Sequence, residues 1–116
     1  SVQLKTFTAP ENSSNFELIT GNSSQYHYVN KGIEIVSCDI SKFNDEYIFI
    51  SNVETLTKYR GKGYGHQFLQ EVLYDLSHMY TGALLHVSKE NTPAYNLYRK
   101  LGFQINDSTV TYTLHQ

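Results

Sequence analysis

One change of hydrophobic period constrains this chain more than any other feature. Residues 46–56 read as a strand, with Tyr47, Ile48, Phe49 and Ile50 in succession. From Tyr64 to Tyr80 the apolar residues Phe68, Leu69, Val72, Leu73, Leu76 and Met79 recur at helical spacing, while Gln67, Gln70, Glu71, Asp75 and Ser77 take the other face. Arg60-Gly61-Lys62-Gly63-Tyr64-Gly65 stands at the change. The near-continuous apolar run predicts a central strand covered on both faces. Glycines after it let the backbone turn tightly and approach a ligand with no Cβ in the way. A helix starting there directs its unpaired N–H groups and the positive end of its dipole at that ligand. A diphosphate suits the position, and Arg60 and Lys62 add positive charge.

The rest of the chain reads as strands and turns around this unit. Val2–Phe7 is a short alternating run, Phe16–Thr20 is a second short run, and Gln25–Val29 and Ile33–Ile40 read as strands. Pro10 to Asn15 is a polar loop, Gly21-Asn22-Ser23-Ser24 is a turn, and Asn30-Lys31-Gly32 is a hairpin connection. Gly82 is expected to cap the first helix, and Ala83–Val87 forms a strand. A second helix begins with Thr92 as N-cap and Pro93 in the first turn, carries Ala94, Leu97, Tyr98 and Leu101 on one side, and stops at Gly102. Phe103–Ile105 and Val110–Leu114 close the chain around a turn at Asn106-Asp107. Strands, helix, strand, helix and two strands make an α+β domain whose helices cover a mixed, mainly antiparallel sheet.

Composition narrows the function. The 116 residues suffice for a single domain, 1–116. A net charge of −2 counts against nucleic acid as a partner and favours a cationic substrate over an anionic one. The single cysteine, Cys38, excludes an internal disulfide and a cysteine-based metal site, and the five histidines form no pair at ligand spacing, so no metal is expected. No run approaches the roughly 18 apolar residues of a membrane span, and no signal-peptide pattern opens the chain. A cytoplasmic protein without membrane partners is the expectation. Ser1 in place of Met is consistent with a trimmed chain or with part of a longer polypeptide.

The glycine loop alone is compatible with a plain turn. It lacks the G-x-x-x-x-G-K-[ST] form of a P-loop, and His66 stands where a dinucleotide fingerprint needs its third glycine. Its surroundings are more specific. Arg60-x-x-Gly63-x-Gly65 resembles the pyrophosphate-binding motif of the GNAT acetyltransferases. The lead-in from Asn52 to Arg60 resembles the strand before that motif, although many members have proline where Thr57 stands. Downstream, Leu85-His86-Val87 followed by Asn91, Ala94, Leu97-Tyr98 and Leu101-Gly102-Phe103 is similar to the family's second signature. The resemblance covers residues 46–114; residues 1–45 match only as generic strands.

The resemblance implies direct acetyl transfer from acetyl-CoA to an amine. The backbone amides of Arg60, Gly61, Lys62, Gly63, Tyr64, Gly65 and His66 would wrap the coenzyme diphosphate. Val53 and Thr55 would offer backbone groups to the pantetheine arm, with the Thr55 N–H on the thioester carbonyl as an oxyanion stabiliser. Asn91 matches a position whose side chain hydrogen-bonds the coenzyme. Tyr98 matches the family's general acid, also in contact with the coenzyme, because the departing thiolate needs a proton. The bland alternative makes Tyr98 the polar-tipped member of an apolar helix face.

Glu54 is the carboxylate nearest in sequence to the presumed acetyl group, and strand alternation puts it on the face opposite Val53 and Thr55. Where family members often carry a catalytic glutamate, this chain has Ser51 and Asn52, so a water chain, Glu34, Asp39, Glu46 or Tyr47 could serve instead. His86 alternates with Leu85 and Val87 and reads as a surface or second-face residue rather than a catalyst. Family domains usually carry two helices between their first strands, and Phe7–Phe16 is too short and too polar for them. A first helical pair is therefore missing, which is consistent with removal of an N-terminal domain, with completion by a partner such as a second copy, or with an open acceptor face. A non-catalytic acyl-CoA-binding module and a nucleotide-phosphate-binding domain remain as alternatives. The acceptor is a small-molecule or peptide amine.

Overall fold

A computed structural model describes residues 17–20, 24–88, 90–106 and 109–113. The expected strand Val2–Phe7, the loop Pro10 to Asn15 and the segment Phe7–Phe16 lie outside the described residues, as do Gly21 to Ser23 and Asp107.

Alternation and turn chemistry build the first half. Strands β1 (Glu17–Thr20), β2 (Gln25–Asn30), β3 (Ile33–Lys42) and β4 (Tyr47–Thr55) follow one another as an antiparallel meander. Lys31 and Gly32 join β2 to β3 with φ of 52° and 78°, the pair of positive values that a two-residue hairpin turn needs to match strand twist. A short 3₁₀ turn (Thr57–Tyr59) leads from β4 toward helix α1 (Tyr64–Leu76), followed by β5 (Gly82–His86), α2 (Thr92–Leu101), β6 (Gln104–Asn106) and β7 (Thr109–Thr113). The seven strands form one sheet in the order β1-β2-β3-β4-β5-β7-β6. Only β4 and β5 pair in parallel; the other neighbours are antiparallel.

Both helices lie on one face of this sheet. Each joins two parallel strands, β4 to β5 and β5 to β6, and both crossovers advance across the sheet in the same direction, so their right-handed sense places them side by side. The core sits beneath them. Tyr26 faces Cys38, Tyr28 faces Val36 and Ile40 faces Ile50 across strand pairs, and all six are buried. Against them α1 packs Phe68, Leu69, Val72, Leu73 and Leu76, and α2 contributes Tyr98 and Leu101. The Tyr28 and Phe68 rings meet at 5.6 Å, and the Tyr26 hydroxyl donates to Asp75 of α1.

The other face carries Gln25 and His27 of β2, Ser37 and Asp39 of β3, and Phe49 and Glu54 of β4, by direct pairing of Gln25 with Asp39, His27 with Ser37 and Glu54 with Ser37. No described helix covers it. Tyr47 and Phe49 are accordingly half-buried while Ile48 and Ile50 are buried, so among the described residues helices cover β4 on one face, where its apolar run predicts cover on both.

Three boundaries differ from expectation. Helix α1 stops at Leu76, because the Ser77 hydroxyl donates to the Tyr74 carbonyl at 2.5 Å and the chain continues as a turn through Met79. Gly82 does not cap it; it opens β5, is buried, and its N–H donates to Glu46 O at 3.3 Å. The N-cap of α2 is Asn91, whose Oδ1 accepts from the Ala94 N–H at 3.4 Å, and Thr92 is the first helical residue. Pro93 stands in the first turn and Gly102, at φ 103°, ends the helix as expected.

Candidate active site

The parallel ladder between β4 and β5 pairs Tyr47 with Gly82, Ile48 with Ala83 and Phe49 with Leu84, then stops, although β4 continues to Thr55 and β5 to His86. The two strands diverge around a cleft of about 200 Å³. Ile50 through Val53 line one side and Leu85 through Ser88 the other, with Asn91, Ala94 and Tyr98 from α2 and its cap.

A bulge in β4 bends the strand at the point of divergence. Asp39 lies opposite Ser51 and Ser37 opposite Glu54, so β4 carries one extra residue between these pairs. Asn52 takes up the bend with φ 51°. Beyond the bulge the Leu56 N–H donates to the Ile35 carbonyl of β3 at 2.8 Å. Successive strand residues send their N–H groups to alternate sides, so those of Val53 and Thr55 are directed away from β3, toward the cleft. The Thr55 carbonyl shares that direction, and Arg60 Nε donates to it at 3.0 Å, tying the loop to the end of the strand.

The glycine loop closes one end of the cleft. Gly61 and Gly63 have φ of 73° and 86°, values that L side chains adopt only under strain. Gly63 is the N-cap of α1 and has no side chain to bond the first turn, so the positive end of the helix dipole faces the loop. A Cβ on Gly65 would lie 3.6 Å from Leu97 Cδ2 and 3.8 Å from Thr55 Oγ1, which places the start of α1, the end of β4 and α2 together. The Arg60 N–H is engaged inside the 3₁₀ turn with Thr57 O at 3.2 Å. Arg60 and Lys62 are exposed.

Tyr98 reaches the cleft from α2. It is buried, its ring packs edge-on to Phe103 at 5.6 Å, and burial, with the nearby Cys38 thiol, pushes its phenol up to about 12. It therefore holds its proton at any neutral pH. Asn91 lines the same cleft, with Oδ1 used in capping α2. Glu54 is exposed on the open face of the sheet and is not among the residues lining the cleft. His86 is exposed, as the sequence leads one to expect, and it also lines the cleft, packing against Phe49 at 5.1 Å between ring centroids; Ser88 beside it was not singled out in the sequence. The strand pattern around His86 carries no sign of this, because the gap beside β5 exists only where β4 bends away.

Among the described residues, no group of three or more His, Cys, Asp or Glu is placed to hold a metal, and no helix is long and apolar enough to cross a membrane.

The family model described as FR47-like protein matches residues 41–112, more than half of the chain. No curated protein matches the chain in sequence. Among solved structures the chain is similar to Ard1 from Thermoplasma volcanium, with a TM-score of 0.74 at 19% identity over 80% of this chain and 72% of that one. It is similar to a GNAT family acetyltransferase from Elizabethkingia anophelis with acetyl-CoA bound, at 0.70 and 18% identity, over 79% and 75%. The ribosomal-protein-S18-alanine N-acetyltransferase from Escherichia coli gives 0.74 at 16% identity, over 90% and 75%. At these identities the similarity is one of fold. The chain belongs to the FR47-like family of the GNAT superfamily.

Proposed function

We propose that this protein is an acetyl-CoA-dependent N-acetyltransferase that moves the acetyl group directly to an amine of a small molecule or peptide. The observation that carries the reading is the cleft where β4 and β5 part, with the Val53 and Thr55 N–H groups directed into it and Tyr98 lining it. The pantetheine arm takes the place of the missing strand, hydrogen-bonding the edge of β4. The diphosphate lies at Gly61 through His66, where the first turn of α1 offers N–H groups and a favourable dipole. Asn91 meets the coenzyme through its side-chain NH₂, its oxygen being engaged in the cap.

The amine attacks the thioester carbonyl, whose oxygen gains charge and is held by the Thr55 N–H. The tetrahedral intermediate then expels the thiolate, which takes the Tyr98 proton as the amide forms. Removal of the amine's own proton falls to a group at the open mouth of the cleft. His86, which lines the cleft, is one candidate, and Glu54, exposed on the open face of the sheet outside the cleft lining, is the other; they are separated by which of His86→Ala and Glu54→Gln lowers kcat.

Isothermal titration tests the coenzyme site. Acetyl-CoA should bind more tightly than ADP, and Gly63→Leu, forced into a positive φ, should abolish both. Equal affinity for ADP and acetyl-CoA would show a nucleotide site with no use for the pantetheine cleft. An amine screen on the wild type then identifies the acceptor.

A further inference from the structure

Two non-glycine residues have positive φ among those described: Lys31, in the tight turn between β2 and β3, and Asn52, inside a strand. Positive φ is ordinary in a hairpin turn and uncommon within a ladder. Asn52 is also tied down. Its Nδ2 donates to Asp39 Oδ2 at 2.7 Å, and the second oxygen of Asp39 accepts from Gln25 Nε2 at 3.1 Å. One carboxylate on β3 thus bridges β2 and β4 across the open face, beside the bulge. These two donors hold the Asp39 carboxyl below the usual carboxylate range, so it stays ionised and accepting at neutral pH.

The geometry points to Asp39 as a positioning residue: by holding Asn52 in the left-handed conformation, it aims the N–H groups beyond the bulge, those of Val53 and Thr55, into the cleft, the Thr55 N–H toward the acetyl group. The Val53 amide follows Asn52 directly, so its plane turns with the Asn52 dihedrals. Were Asn52 to relax to extended backbone, the extra residue would leave β4 and the amides beyond it would change sides. Asp39 itself is absent from the cleft lining and acts through Asn52. Both of its oxygens accept from side-chain amides, which suits a clamp better than a base that must take up a proton. The inference rests on the reading of the cleft as an acetyl-CoA site.

Two measurements test it, one of them without coenzyme. A strong intraresidue HN–Hα NOE at residue 52 reports positive φ in the free protein. Asp39→Ala should weaken it with little change in thermal midpoint, and Asp39→Asn, which keeps an accepting oxygen, should preserve it. Titration with acetyl-CoA and with CoA then reads the amide's aim. Wild type should prefer acetyl-CoA by about 5-fold, the worth of one added hydrogen bond. Asp39→Ala should erase that preference while still binding CoA. Adding Asn52→Gly to Asp39→Ala should restore it, because glycine adopts positive φ unaided.

An Asp39→Ala protein that keeps both the NOE and the preference overturns the proposal. So does a double variant that stays without preference when Asp39→Asn has also lost it, since the carboxylate charge would then act on the ligand itself. If wild type binds neither coenzyme while the NOE follows Asp39 as described, the acetyl-CoA reading has failed and the aiming role falls with it.

Discussion

Tyr98 is the residue on which the chemistry turns. A phenol pushed up to about 12 by burial is fully protonated wherever an amine acceptor is partly neutral, and so can donate to a leaving thiolate throughout that range. Tyr98→Phe keeps the ring packing against Phe103 and removes only the proton. The expected result is a fall in kcat of about 100-fold with acetyl-CoA affinity changed by less than about 2-fold, measured by steady-state kinetics beside titration. The sequence places Tyr98 on the apolar face of a helix, where a structural and a catalytic tyrosine look alike. Its arrival in the cleft depends on α2 packing over the gap beside β5. Thr92 shows the same limit at smaller scale, since Asn91 and Thr92 are both good capping residues and only the dihedrals of the chain leaving β5 select the first.

The element that most rewards mutation is the turn from β4 into α1. Gly63 and Gly65 look equivalent in sequence and are not. At Gly63 the backbone is left-handed, so any side chain costs roughly 1–2 kcal/mol of stability besides its effect on a ligand. Gly65 is helical, and a methyl group there meets only ordinary contacts with Leu97 and Thr55. Gly65→Ala should therefore raise stability by about 0.5–1 kcal/mol, read from denaturant midpoints at constant slope. A loss instead would mean that the approach of α1 to β4 is tighter than these distances allow. Helix α1 itself is legible from its apolar spacing, because five of its predicted core residues (Phe68, Leu69, Val72, Leu73 and Leu76) are buried. Met79, the sixth, is 65% exposed, since the Ser77 hydroxyl ends the helix before the spacing does.

At the scale of the whole molecule, the buried tyrosines Tyr26, Tyr28 and Tyr98 shape the response to alkali. Burial, and then the Asp75 carboxylate for Tyr26 and the Glu71 carboxylate for Tyr28, raise both phenols well above their ordinary value, and Tyr98 rises to about 12. The unfolded chain loses these protons near pH 10 while the folded chain keeps them, so stability is intact below that pH and falls as pH rises through the interval to about 12. Thermal melts between pH 8 and 11 should show a flat midpoint, then a steep decline that Tyr26→Phe makes shallower. The strand runs Gln25–Val29 and Ile33–Ile40, the helical stripe of α1, the glycine turn, and so the α+β class, were legible in the sequence. Each of these follows from side-chain period or from backbone freedom, properties local to the chain. Tertiary structure alone decided that both helices share one face, that β4 and β5 part after Phe49 and Leu84, and that His86 borders the gap. It also decided that Asn52 bends β4 under the hold of a carboxylate on the neighbouring strand. The physical reason is that strand register joins residues distant in sequence, and no local pattern records which of them will meet.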